Sequence, residues 1–331
     1  MMNRKRILLC LLAIAFLLAP LAACGAPAAE EPVSQPEPVK EAPPEPTPIP
    51  FLQPGEPPEP ERILEDTDAS LRAYEKRVLG GDNFLNNLYE RPFTSREMVY
   101  QPDLNILAVS IAADEAFFYF TIVLEGYDEA SGRVTGSYGI EFDRTKTGRG
   151  DLLVWVSNPQ EEEWGTEKVT VFEDTEAVVG GITPIVAETG WKTNGYVHML
   201  EMEGDRVAHA RLVKVEQPNV QFAISRALLG NPEEFLWGAW ADGGLREPGM
   251  FDYNDRMGPS MAGSPMKDSK DYPIKDLFSL DNTCHLPYGF AQSGAIPGMC
   301  LVGSEPVDSK CVCVRWNQAV FPPVCVAWSC D

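Results

Sequence analysis

The chain has 331 residues, of which 44% are hydrophobic and 23% charged, and carries a formal charge of −22. Its length allows one large domain with a true core plus smaller pieces. So acidic a surface repels nucleic acid and anionic lipid headgroups, which excludes a nucleic-acid partner.

Residues 1–23 read as an export signal. Arg4, Lys5 and Arg6 form a basic start, and residues 7–19 are an unbroken apolar run. Thirteen residues suit a signal core and are short for a membrane span. Leu21-Ala22-Ala23-Cys24 resembles the lipobox of bacterial lipoproteins. The resemblance implies cleavage before Cys24 and lipid on its sulfur and amine, palmitate included. It also implies a chain anchored to the cell membrane at its extracellular face; several acyl chains on one residue hold stably where one does not. The plainer alternative is an ordinary secretory signal with Cys24 incidental. Losing Arg4, Lys5 and Arg6 with the signal takes the formal charge from −22 to −25.

Residues 24–61 change character. Thirteen prolines fall between Gly25 and Glu61, and Glu is the main charge. Proline removes backbone donors and fixes φ, so helix and sheet are closed to this segment, and a disordered tether biased to polyproline II is expected. Fully extended, at ~3.1 Å per residue, it reaches up to ~110 Å. Residues 62–100 are expected to hold a short helix and an irregular wrap. Leu71, Tyr74 and Val78 recur at helical spacing before Gly80-Gly81, and DNFLNNLYERPF packs its apolar side chains onto the main domain.

From 101 to 275 strand signals dominate. LNILAVSIA, AFFYFTIVL, SYGIEF, DLLVWVS, KVTVF, EAVVGG, YVHMLEME, RVAHARLVKVE, VQFAIS and FLWGAWAD are rich in β-branched and aromatic residues, separated by Asp-, Gly- and Asn-bearing turns. In RVAHARLVKVE, Val207, His209, Arg211, Val213 and Val215 share one face, and Ala208, Ala210, Leu212 and Lys214 the other. Long helical patterns between strands are missing, which argues against a parallel sheet. The expected fold class is all-β: an antiparallel β-sandwich of jelly-roll type with a small disulfide-rich C-terminal appendage.

The succession PDLNILAVSIAADEAFFYFTIVLEG, YGIEFDRTKTGRGDLLVWV, VQFAISRALLG, FLWGAWADGG and FDYNDRM resembles the DOMON-like sandwiches related to carbohydrate-binding module family nine, over residues from about 100 to 260. The resemblance implies a sandwich that binds sugars, or in some relatives haem. Sugar-binding members clamp their ligand between exposed Trp rings, but those positions have no residue-by-residue match here. No His or Met stands out as an axial haem ligand.

EFDRTKTGRGD, residues 141–151, raises a cation-loop reading. Set against an EF-hand, Asp143, Thr145 and Thr147 take the first, third and fifth ligand positions, Arg149 offers its carbonyl, and Asp151 takes the ninth. Two threonines where carboxylates belong, Val154 at the twelfth position, and Lys146 and Arg149 nearby all weaken it. A tight hairpin, with Gly148 and Gly150 at positive φ and Asp143 bonding the turn amides, is the plainer expectation. Arg149-Gly150-Asp151 also forms an RGD triplet, a short and weak adhesion signal. Asp252, Asn254 and Asp255 make a second oxygen-rich loop.

Motifs for catalysis are missing: H-E-x-x-H, G-x-S-x-G and a phosphate loop are all absent from the sequence. His198 and His209 fall in expected strands as ordinary packed or surface residues. Glu161-Glu162-Glu163 reads as a solvated loop. Trp155, Trp164, Trp191, Trp237 and Trp240 are the aromatic platforms on offer. Trp237 and Trp240 sit in a core-like strand, whereas Trp164 and Trp191 stand among loop residues and are the ligand-binding candidates.

Within 276–331, Cys284, Cys300, Cys311, Cys313, Cys325 and Cys330 cluster in a chain read as exported, and an even count there reads as three disulfides. Proximity suggests Cys284–Cys300, leaving four to staple the C-terminal stretch; a zinc site is the rival, with untypical spacing. The leading functional expectation is a non-catalytic, lipid-anchored surface protein that binds an extracellular glycan, with a structural calcium. The rivals are an extracellular hydrolase with a glycosidase-type carboxylate pair, and a structural surface protein without a small ligand.

Overall fold

Two antiparallel sheets follow from the alternation of apolar residues along the chain. In the computed structural model the described residues are 50–175, 179–180, 195–196, 198–243, 251, 253, 257–291 and 300, with the backbone of 311–317 and 324–330. The described residues belong to one compact unit, Pro48–Asp331.

The first sheet contains β1 (Arg62–Glu65), β3 (Ile106–Ala113), β4 (Phe117–Leu124), β10 (Asn219–Ser225) and β9 (Ala208–Val213), in the order β1-β3-β4-β10-β9. The second runs β2-β12-β11-β5-β6-β7-β8, formed by β2 (Glu90–Arg91), β12 (Leu280–Asn282), β11 (Phe235–Asp242), β5 (Ser137–Asp143), β6 (Leu152–Ser157), β7 (Val169–Glu173) and β8 (His198–Leu200). β13 (Leu286–Tyr288) also pairs with β11. The antiparallel sandwich expected from the sequence is therefore the fold.

One face of each sheet feeds a single core. Val109 and Ile111 of β3, Phe120 and Ile122 of β4, Ile140 and Phe142 of β5, and Trp237 and Ala239 of β11 all belong to it. Rings interlock across the layers: Phe120 packs edge-on to Phe142 at 5.4 Å and to Trp237 at 5.0 Å. Such geometry adds about 0.5–1.5 kcal/mol per pair beyond area burial. On β9 the core face is Ala208, Ala210 and Leu212, so His209 and Arg211 are turned outward by the period of two.

The middle of the second sheet is buried on both faces; every residue of β5 and β11 is enclosed. Its outer face carries Leu153, Trp155, Trp240 and Leu280, covered by Tyr89, Phe251 and Tyr253. Gly139 lies in register between Trp240 and Trp155. A Cβ there would approach Trp155 Cε3 to 2.6 Å, so only glycine leaves room for the Trp155 indole against the strand.

The expected N-terminal helix is a 3₁₀ segment, Ala69–Glu75, capped by Asp68, whose side chain accepts from Ser70 N at 2.9 Å. Its packing face differs from the expected one: Leu71 and Tyr74 are 61% and 77% exposed, and Ala69 and Val78 are buried. Three residues per turn align positions 71 and 74 on one ridge, and that ridge points to solvent.

Strands also arise outside the expected 101–275 span. β1 and β2 lie in the wrap, and β12 and β13 in the C-terminal region. Residues from Pro50 onward, in the expected tether, lie extended against the fold: Leu52 N donates to Gly204 O, between β8 and β9, at 3.0 Å and Glu61 N to Ile111 O of β3 at 2.9 Å. The extended chain leaves its backbone groups unpaired internally, and these partners take them up.

Cys284 and Cys300 form a disulfide with Cα atoms 4.9 Å apart, 16 residues apart in sequence. Beyond it, β14 (Cys311–Asn317) and β15 (Val324–Cys330) pair as a two-stranded sheet in which Cys311 is the register partner of Cys330. Closing the Cys284–Cys300 loop is worth about 3 kcal/mol. The double variant Cys284→Ser/Cys300→Ser should therefore lose about 3 kcal/mol in urea unfolding; an unchanged midpoint would show that the bridge constrains nothing.

Candidate functional site

The groove beside Trp164 forms because β9 is the last strand of the first sheet and its free edge needs a cover. The β6–β7 loop supplies it. Gly165 N donates to Ala210 O at 3.2 Å, Ala210 N donates back to Gly165 O at 2.9 Å, and Leu212 N donates to Glu161 O at 2.7 Å. The loop and β9 enclose a groove of about 410 Å³ lined by Gln160, Glu161, Glu163, Trp164, Lys168, His209 and Arg211, with Phe51 and Gln53 at one side. This volume falls in the range of small-ligand sites.

Trp164, half-buried, is held from three directions. Its Nε1 donates to Gly55 O at 3.1 Å, the Arg211 guanidinium sits 4.3 Å from its ring centroid, and Tyr119 packs at 6.2 Å. Arg211 is itself fixed: Nε donates to Gln221 Oε1 at 2.8 Å, and Nη1 and Nη2 donate to Glu56 at 2.9 and 2.7 Å. The indole is thus a pre-set platform, with little side-chain freedom left to lose on binding. His209 is buried, with Nε2 2.9 Å from Leu52 O, and burial lowers its pKa. It serves the packing of residues 51–56 against β9. Trp155, Trp237 and Trp240 are all buried and offer no platform. Trp191, Asp252, Asn254, Asp255 and Cys24 lie outside the described residues, and Cys311, Cys313, Cys325 and Cys330 are described by backbone alone.

The 141–151 segment is a hairpin between β5 and β6. Asp143 Oδ1 accepts from Thr145 Oγ1 at 2.9 Å and Oδ2 from Gly148 N at 2.6 Å. Thr145 and Thr147 hydroxyls lie 3.2 Å apart. Asp151 accepts from Arg144 N at 2.7 Å and Arg144 Nε at 2.6 Å, and the Arg149 guanidinium donates to Gly180 O. Gly148 has φ +83°, the left-handed turn position, whereas Gly150, expected there too, does not adopt it. Both carboxylates therefore spend their oxygens on donors of the turn itself.

A second polar centre lies under the outer face of the eight-stranded sheet. Buried Glu141 accepts from Tyr196 OH at 2.7 Å and Trp240 Nε1 at 2.9 Å, and His285 Nε2 lies 3.1 Å from Oε2. The cavity beside it holds only about 10 Å³, too small for a substrate. Sequence reading missed this pair, since nothing local to either residue marks it.

No family model, curated protein or solved structure matches the chain. Among the described residues, no helix is long and apolar enough to cross a membrane.

Proposed function

We propose that the chain is a lipid-anchored surface protein that holds an extracellular glycan in the groove beside Trp164. The observation that carries this reading is a fixed, half-buried indole beside a groove of ligand size, rimmed by amide, carboxylate and ammonium groups. Sugars need both: a flat apolar ring for their C–H faces and polar groups for their hydroxyls. Binding is favoured over hydrolysis by the setting of the groove carboxylates. Glu161, Glu163 and Glu167 stand in solvent, whereas a glycosidase acid is held protonated by a desolvated pocket. Anchoring rests on the lipobox at Cys24, and labelled palmitate should enter the wild-type chain and not Cys24→Ala.

A glycan array probed with the full chain tests the groove. Trp164→Ala should weaken binding about tenfold or more, since an aromatic contact worth about 1.5 kcal/mol is a factor of ten. An array profile unchanged by that substitution would place the ligand elsewhere.

A further inference from the structure

At the opposite edge of the sandwich, three carboxylates meet without a counter-charge. Asp66 follows β1, Glu90 lies in β2, and Asp281 lies in β12 directly opposite Glu90 in register. Each brings an oxygen to within 4.8 Å of the other two. Like charges facing across paired strands are destabilising, and burial makes it worse: Glu90 is 2% exposed and Asp281 fully enclosed.

The oxygens divide their duties. Asp66 Oδ1 accepts from Thr67 N at 2.9 Å and Asp281 Oδ2 from Ile106 N at 2.7 Å. Asp66 Oδ2, Glu90 Oε2 and Asp281 Oδ1 are buried and have no hydrogen-bond partner. Buried polar atoms are normally satisfied, and three orphans in one cluster call for a ligand. The nearest cation in sequence, Arg91, alternates to the other side of its strand, and its guanidinium is taken by Asp82, Ala262 O and Leu277 O.

We propose that Asp66, Glu90 and Asp281 form a divalent-cation site of calcium type that ties the edge strand of the five-stranded sheet to the edge of the eight-stranded sheet. Three carboxylates suit a hard cation that takes oxygen ligands, with carbonyls and water completing the shell. Asp66 is only partly buried, which leaves a way in from solvent. Left without a cation, the cluster would have to hold protons instead; burial pushes all three carboxyls upward, and neighbouring carboxylates add to the rise at Glu90 and Asp281. The site is separate from the glycan groove and stands or falls independently of it.

The test is thermal unfolding of the full chain in 1 mM calcium chloride against excess EGTA, with magnesium and manganese in parallel and calorimetric titration of calcium into the wild-type protein. A Kd on the order of 10 μM would raise the melting temperature by about 5–10 °C at 1 mM. Asp281→Asn and Glu90→Gln should abolish the shift, and Asp143→Asn, in the 143–151 hairpin, should keep it. No divalent-dependent shift and no binding heat in the wild type would overturn the proposal, whatever the variants do. So would a shift lost in Asp143→Asn and retained in Asp281→Asn. A melting temperature that ignores divalents and rises in Asp281→Asn would mean that shared protons, not a cation, neutralise the cluster.

Discussion

Replacing Glu141 by alanine is expected to cost about 3–5 kcal/mol of stability, the range for removing one partner of a buried charged pair. The substitution strands three donors at once: Tyr196 OH, Trp240 Nε1 and His285 Nε2. The milder Glu141→Gln keeps the shape and isolates the charge, and its signature is a pH profile. Burial pushes the Glu141 carboxyl up, but the hydrogen bond and charge of His285, with Tyr196 and Trp240, outweigh it and hold the group below its ordinary 4.5. That contribution is present above pH 4.5 and is lost as pH falls through the lowered value. Burial pushes His285 down, but Glu141 and then Asp143 outweigh it and hold the imidazole above its ordinary 6.5. Its contribution is complete below pH 6.5 and is lost as pH rises through the raised value. The stability gap between wild type and Glu141→Gln, read from urea unfolding, should therefore be widest between pH 4.5 and 6.5 and narrow on either side. A gap that is flat with pH would mean that the pair is a neutral hydrogen bond.

The strands that carry the core were legible because their residues alternate. Ala208, Ala210 and Leu212 against His209 and Arg211 is a period of two, and it places β9 with one face in the core and one outward. SYGIEF and FLWGAWAD were legible as strands, yet not as doubly buried ones, since what covers their outer face arrives from Tyr89, Phe251 and Tyr253. β1, β2, β12 and β13 are two to four residues long, too short to show any period, and they are recruited by the hydrogen-bonding edges of longer neighbours. Trp164 was legible as a loop tryptophan outside the core from its acidic, glycine-bearing surroundings. Its partners Arg211, Tyr119 and Gly55 were not, because strand register and the path of residues 50–56 bring them there. The Glu141–His285 pair joins positions 144 residues apart, and the Asp66, Glu90 and Asp281 cluster draws on three separate segments. Such juxtapositions leave no mark in any local window of sequence.

Arg91→Ala should be the other severe substitution, again costing about 3–5 kcal/mol. The guanidinium is fully buried, donates to both oxygens of Asp82 through Nε at 2.7 Å and Nη2 at 3.1 Å, and reaches Ala262 O and Leu277 O through Nη1 at 3.3 Å each. It also lies 5.4 Å from the Tyr89 ring and 5.8 Å from that of Phe84. It thus clamps the 82–91 wrap to the 262–277 segment over the outer face of the second sheet. Removing it leaves the Asp82 carboxylate, side chain 5% exposed, beside a region already holding Glu90. Arg91→Lys keeps the charge and loses the fork, so it should recover only part of the stability. A double-mutant cycle with Asp82→Asn separates the causes. If the stranded carboxylate dominates, Asp82→Asn will restore much of what Arg91→Ala loses, and the coupling will exceed about 1 kcal/mol. If the two losses simply add, the carbonyl contacts and ring packing carry the clamp, and the ion pair contributes little beyond orienting the guanidinium.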